Sequence, residues 1–171
     1  MTAAPTWVMG IAYWLHMLAT IAWLGGLFAL LFLVLPAVRR HIPVEYASDF
    51  LNQVQNRLQW LGWISLVVLA ATGMFQMSSN PNYQGFLTIA NSWAVAIFIK
   101  HILVSIMVLV TAYLTWGLLP ALNRMMLRRK AGKTVDTVQM ERLERQEQML
   151  LTVSLVLSIL VIAFTAWARA V

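Results

Sequence analysis

Two histidines, His16 and His101, lie inside long apolar stretches, each about eight or nine residues beyond a tryptophan, Trp7 for the first and Trp93 for the second. At 1.5 Å per residue along a helix, both sit roughly 12–14 Å past those tryptophans. An ionisable side chain inside a hydrophobic span is costly and is by default a mark of function. Neutral imidazole ligates metals, and low-spin haem iron with two axial imidazoles suits electron transfer. His16 and His101 are therefore expected to share a ligand role and to hold one haem b between two helices. Lys100 adjoins His101 but points about a quarter-turn away. Its ammonium can pair with a haem propionate, or snorkel to the nearer interface. The plainer alternative for either histidine is a hydrogen bond to a Ser, a Thr or a backbone carbonyl.

Methionine supplies a second chemistry. Met9 stands near the start of the first apolar stretch, and Met74 and Met77 stand three residues apart near the end of the second. Thioethers select Cu(I), so Met9, Met74 and Met77, with His16, form a candidate copper site. Methionine is also ordinary apolar filling. Met17 and Met107 are candidates for a thioether ligand opposite a histidine, Met17 the poorer because it neighbours His16 and points elsewhere. His41, beside Arg39 and Arg40, reads as an exposed loop residue.

Positioning these residues falls to four spans. Of 171 residues 61% are hydrophobic and 11% charged, which is the composition of an integral membrane protein. The apolar stretches run approximately over 7–35, 58–77, 93–119 and 148–168, with Pro36 closing the first and Pro120 the third. Each approaches or exceeds the ~20 residues that cross ~30 Å of hydrocarbon. The expected fold is all-α, a four-helix up-down bundle forming one domain over 1–171 with both termini outside. Spans one and three then run the same way and lie diagonally across the core, which brings the two histidines to one layer. Small residues flank them: Ala12, Ala19, Thr20 and Gly26 in span one, Gly62, Ser65, Ala70 and Gly73 in span two, Ala94, Ser105 and Ala112 in span three. These make room for a cofactor, and equally for close helix packing. The run from Trp7 to Val38 is too long for a signal-peptide core and reads as a retained span.

Charge gives the orientation. Lys and Arg number 12 against 6 Asp and Glu, a formal charge of +6. Arg39, Arg40 and Arg57 bracket the connection after span one. Arg124, Arg128, Arg129, Lys130, Lys133, Arg142 and Arg145 fill the one after span three, while 78–92 has no charge. By the positive-inside rule the basic loops face the cytoplasm of a bacterial-type inner (cytoplasmic) membrane, Arg169 being the exception. The excess reads as topology and anionic-lipid contact, not nucleic-acid binding. Trp7, Trp60, Trp93, Trp116 and Trp167 lie near span ends, as interfacial belts do. All six acidic residues fall outside the four stretches, which argues against a carboxylate proton pump or a zinc hydrolase. The chain has no Cys, which excludes disulfides, thiolate metal sites and covalently attached haem.

Two polar segments read as helical. Ala47, Phe50, Leu51, Val54 and Leu58 form one apolar stripe, either an interfacial helix or an extension of span two. The stretch 134–148, with Glu141 and Arg145 one turn apart, extends span four. Residues 130–134 are a flexible link. Its Gly132-Lys133-Thr134 lacks the upstream glycine of a phosphate loop, so no nucleotide site is expected.

The stretch Trp14-Leu15-His16-Met17-Leu18-Ala19, followed by Ile21-Ala22-Trp23-Leu24-Gly25-Gly26-Leu27-Phe28, resembles the first span of CopD-type membrane proteins and of the related HemJ-type protoporphyrinogen oxidases. The resemblance continues at Asn56-Arg57-Leu58 and at Ile99-Lys100-His101-Ile102-Leu103. It implies a haem-b- or copper-associated helical membrane protein, in which His16 takes the place of the family's first-span histidine and Lys100 that of the HemJ third-span lysine. Two departures argue against protoporphyrinogen oxidation. Tyr113 is followed by Leu114 where HemJ-like chains have Tyr-His, and Leu35-Pro36-Ala37 stands where they have a late histidine.

The leading expectation is a bis-histidine haem b protein for electron transfer between a quinol pool and an extracytoplasmic acceptor, or an accessory subunit among other membrane redox subunits. Whether it is itself a haem-dependent oxidoreductase stays open. The alternatives are CopD-like copper transport or handling, and a cofactor-free structural subunit.

Overall fold

The computed structural model describes residues 5–83, 85 and 91–170, leaving aside the side chains of Arg39, Val44, Glu45, Ser48 and Lys130. Arg39, Lys130, part of the uncharged 78–92 connection and the first four residues, all used above, thus lie wholly or partly outside what is described. Helix α1 (Thr6–Phe28) runs through a π-helical stretch, Ala29–Val34, into α2 (Leu35–His41). Helix α3 spans Val44–Ser78. Helix α4 (Ser92–Tyr113) runs through a second π-helical stretch, Leu114–Leu118, into α5 (Leu119–Lys130), and α6 spans Thr137–Ala170. Four rods result, with no strand among the described residues.

The prolines do not end the first and third rods, contrary to expectation. Each follows a π-helical stretch and sits in the first turn of the next helix, Pro36 in α2 and Pro120 in α5. A proline inside an α-helix removes one backbone donor and clashes with the carbonyl four residues back. The wider turns of the two π-helical stretches absorb that clash, and both rods continue. The stripe from Ala47 to Leu58 is an extension of span two within α3. Real ends are marked by side chains. Asn91 caps α4, its side-chain oxygen accepting from the Ala94 N–H at 2.7 Å. Asp136 Oδ1 accepts from the N–H groups of Val138 and Gln139 at 3.0 and 3.3 Å, at the start of α6. Helix α5 stops at Gly132, whose φ of 69° only glycine adopts readily. The Gly132 N–H reaches Arg129 O and the Lys133 N–H reaches Arg128 O, both at 3.1 Å, the paired bonds of a Schellman end.

Helix α1 packs chiefly on α3 and α4 chiefly on α6, with α1 and α6 in lighter contact. No substantial packing joins α1 to α4 among the described residues, so spans one and three are diagonal. Two ends can be told apart: a basic end, with the α2–α3 and α5–α6 connections, and a terminal end, where α1 begins and α6 finishes. The core has three layers. Met77, Trp93, Ala96 and Ala168 form the terminal-end cluster. Trp23, Leu66 and Met107 form the middle one. Leu30, Leu35, Leu114, Leu118, Leu122 and Leu151 form the basic-end one.

In none of the four spans is more than 22% of the most apolar window buried. The remaining apolar faces point outward, a surface that is stable in hydrocarbon and not in water. The chain is a multi-pass membrane protein, and its helices satisfy their own backbone groups as a bilayer demands. Trp7, Trp60 and Trp116 are 68%, 73% and 72% exposed, as belt residues should be. Trp93 departs from that expectation, because it fills the terminal-end cluster and is only 7% exposed.

Candidate metal site

His16 projects from α1 toward α3. Its Nδ1 lies 2.8 Å from Thr72 Oγ1. The Thr72 hydroxyl donates its single proton to the Val68 carbonyl at 2.6 Å. The hydroxyl is therefore the acceptor toward the ring, and Nδ1 must carry the hydrogen. That fixes the tautomer and leaves Nε2 with the basic lone pair, the form in which histidine binds metals. Gly73 lies beside the ring, where a Cβ would stand 3.5 Å from His16 Cε1, in ordinary van der Waals contact. One turn further toward the terminal end, Gln76 Nε2 donates to the Ala12 carbonyl at 3.2 Å and ties α3 to α1 beside the imidazole.

His101 has the same tautomer for a different reason. Its Nδ1 faces the Ile97 carbonyl of its own helix at 2.7 Å, and a carbonyl can only accept. Both histidines also share a local pattern, with a hydroxyl four residues on bonding back to the histidine carbonyl, Thr20 to His16 and Ser105 to His101, each at 2.8 Å. Among the described residues the two rings face different neighbours: His16 meets Thr72 and Gly73 of α3, whereas His101 lines a shallow groove with Phe98, Ile102, Ser105, Ile106 and Leu109 of its own helix. Lys100 and Arg169 lie within electrostatic reach of the His16 imidazole. Arg169 also packs over the Tyr13 ring, 5.1 Å from its centroid.

The candidate methionines are spread over different surroundings. Met77 is buried in the terminal-end cluster, Met9 is half-buried, and Met74 is 55% exposed on the outer face of α3. Met107 is buried at mid-depth with its Sδ 3.3 Å from the Ser158 hydroxyl, which accepts from Trp23 Nε1 at 3.3 Å and gives its single proton to the Ser154 carbonyl at 2.7 Å. Met17 is 60% exposed.

A second polar locus lies nearer the basic end and was not read from the sequence. Glu147 is only 5% exposed, and its Oε1 accepts from Gln55 Nε2. The expectation that all acidic residues lie outside the spans is thereby corrected: Glu147 belongs to the bundle. The sequence does hold a signal. Glu147, Leu151, Ser154 and Ser158 recur at helical spacing and are the buried face of α6, and Gln55, Gln59 and Gly62 do the same on α3. A threshold on hydropathy cuts span four at Gln148 and hides the first member of that stripe.

Fold and site together define a four-span helical membrane protein that carries imidazole lone pairs inside its apolar rods. The chain belongs to the copper resistance protein D (CopD) family, whose sequence model matches residues 52–168, about two thirds of the chain. The match takes in Met74, Met77, Lys100, His101 and Glu147, ends one residue before Arg169, and begins after the first span with Met9 and His16. Comparison with curated proteins and with solved structures returned no match.

Proposed function

We propose that the chain handles cuprous copper at the membrane, with His16 as the principal metal ligand in its terminal half. The observation that carries this reading is the Val68–Thr72–His16 relay, which holds the imidazole in its metal-binding tautomer inside a family tied to copper resistance. Among the described residues no three His, Asp or Glu side chains group as ligands, so further donors would come from thioethers. Imidazole and thioether together are a soft set, suited to Cu(I). Met77 and Met107 line the interior on either side of the His16 layer, while the outward-facing Met74 fits a sealed site less well. Lys100 and Arg169 repel any cation near His16, but Coulomb repulsion scales with charge, so a divalent ion is disfavoured twice as strongly as a monovalent one. The distribution of basic residues supports a terminal end facing outward, where copper would arrive.

The test is to load the detergent-purified protein with Cu(I) under reducing conditions and to measure bound metal and its ligand shell by X-ray absorption. Wild type should bind copper with nitrogen and sulfur neighbours, His16→Ala should lose the nitrogen signal and most of the metal, and Met77→Ala should weaken binding. Unchanged affinity in His16→Ala would end this reading.

A second reading has haem b as the resident group, with His16 and His101 as axial ligands and Lys100 against a propionate. It is favoured by the matching tautomers of the two rings. Opposing it, the imidazoles face different neighbours, and α1 and α4 share no substantial packing among the described residues. Haem would supply one-electron chemistry, with a quinol or another membrane redox subunit as partner. A reduced-minus-oxidised visible spectrum of the same sample separates the two readings.

A further inference from the structure

Near the basic end α1, α3, the α4 rod and α6 surround a cavity of about 90 Å³. Its wall is mostly apolar, and both π-helical stretches contribute to it, Leu30 from the first and Leu114 and Thr115 from the second. Widened turns of this kind recur at functional sites. Toward the centre of the bundle the cavity ends at Trp23 and Gly62, against the middle layer. It therefore occupies the basic half of the bundle up to mid-depth.

Two polar atoms of lining residues are out of keeping with that apolar wall. Ser154 is 1% exposed, and neither its Oγ nor Gln59 Nε2 has a hydrogen-bond partner among the described residues. Polar atoms so deeply buried are almost always paired, with protein or with water. The amide nitrogen offers two donors, and the hydroxyl one donor and two lone pairs. Thr111 adds an oxygen whose own proton goes to the Met107 carbonyl at 2.8 Å, which leaves it lone pairs to accept with. A water needs roughly 10–15 Å³ of such space and two to four polar partners, so the cavity admits several. An acyl chain or another apolar filling would leave both buried polar atoms unpaired. The lining has no imidazole or thioether to hold a soft metal ion.

We propose that this cavity is a water-binding pocket, in which a cluster of a few water molecules is anchored by the Gln59 amide and the Ser154 hydroxyl and donates to Thr111. Glu147, bonded to Gln55, forms part of the wall on the side nearer the basic end. The cluster carries water to mid-depth in a chain whose outer faces are apolar, and Trp23 stands between it and the His16 layer. It reduces the thickness of apolar interior that a polar solute crossing the chain would meet, and with it the cost of desolvation. The pocket is separate from His16, and its occupancy does not depend on copper being the cargo.

The experiment is radiolytic footprinting of the metal-free protein in lipid nanodiscs. Short X-ray pulses make hydroxyl radicals from water, bound water included, and oxidise the side chains beside it. Leu151 and Leu66 are a matched pair, 5% and 7% exposed, of which only Leu151 lines the cavity. In wild type Leu151 should be oxidised several-fold faster than Leu66. In a Ser154→Ala, Gln59→Leu double variant, which keeps the size of the wall but removes the anchors, its rate should fall to that of Leu66, and the oxidation of Trp23 should fall with it. Ser154→Ala alone should lower the Leu151 rate partway, and it decides the matter should the double variant fail to fold. Equal rates for Leu151 and Leu66 in wild type would show a dry or lipid-filled cavity and overturn the proposal. So would a Leu151 rate unchanged by removal of the anchors.

Discussion

At the terminal end, His16 gives its Nδ1 hydrogen to Thr72, Thr72 gives its own to Val68, and Gln76 reaches across to the Ala12 carbonyl. At the basic end, Gln59 and Ser154 face an open cavity beside Glu147. The two regions lie in the same four rods and have similar apolar frames, yet they treat polar atoms in opposite ways. A closed network holds one ring in one orientation and one tautomer, which is what a metal ligand requires. An incomplete network with space around it leaves polar atoms that a water can pair. Between them lies a middle layer, where Trp23 Nε1 donates to the Ser158 hydroxyl and Ser158 gives its own proton to the Ser154 carbonyl, with Met107 Sδ 3.3 Å from the same hydroxyl.

The contrast can be broken most severely at Thr72. Thr72→Val removes the acceptor that fixes the His16 tautomer, and copper affinity should fall about 10–100-fold, or ~1.4–2.8 kcal/mol. Thr72→Ser should restore it, and thermal stability should barely move in either variant. If Thr72→Val binds copper like wild type, the closed network is mere packing.

Leu118→Ala tests the other end. Leu118 is 1% exposed at the centre of the basic-end cluster. Its truncation should cost about 1–3 kcal/mol, less than in a water-soluble core, because a leucine leaving this core enters lipid. The melting temperature in nanodiscs should drop by several degrees with copper binding intact, which would separate the two regions energetically.

Gly62→Ala probes the boundary with a smaller effect. A Cβ at Gly62 would stand 3.0 Å from Trp23 Cζ3, so the indole must shift and its 3.3 Å bond to Ser158 must stretch. A loss of about 1 kcal/mol is expected, along with a change in tryptophan fluorescence. An unchanged spectrum would mean that the middle layer is looser than its contacts suggest.

The four rods were legible because hydropathy is a property of composition over a whole window, and lipid asks only that backbone groups be satisfied and outer faces be apolar. His16, His101, Lys100 and the methionines were legible for the same reason, as exceptions in apolar runs. Hydropathy misled at Pro36 and Pro120, where the chain widens two turns and continues, and at Glu147, where the end of an apolar run was taken for the end of the bundle.

What the sequence by itself determined is the membrane class, the number of spans and the presence of a histidine within the first and the third, since each follows from composition and spacing along one chain. Only the tertiary structure decided that His16 meets Thr72, that His101 faces a groove of its own helix, and that Glu147 shares a cavity with Gln59 and Ser154. Those pairings depend on the rotation of each helix about its axis. In a bilayer that rotation is set by the fit of small and large side chains between neighbouring helices, because lipid is as apolar as the residues it replaces and cannot tell one apolar face from another.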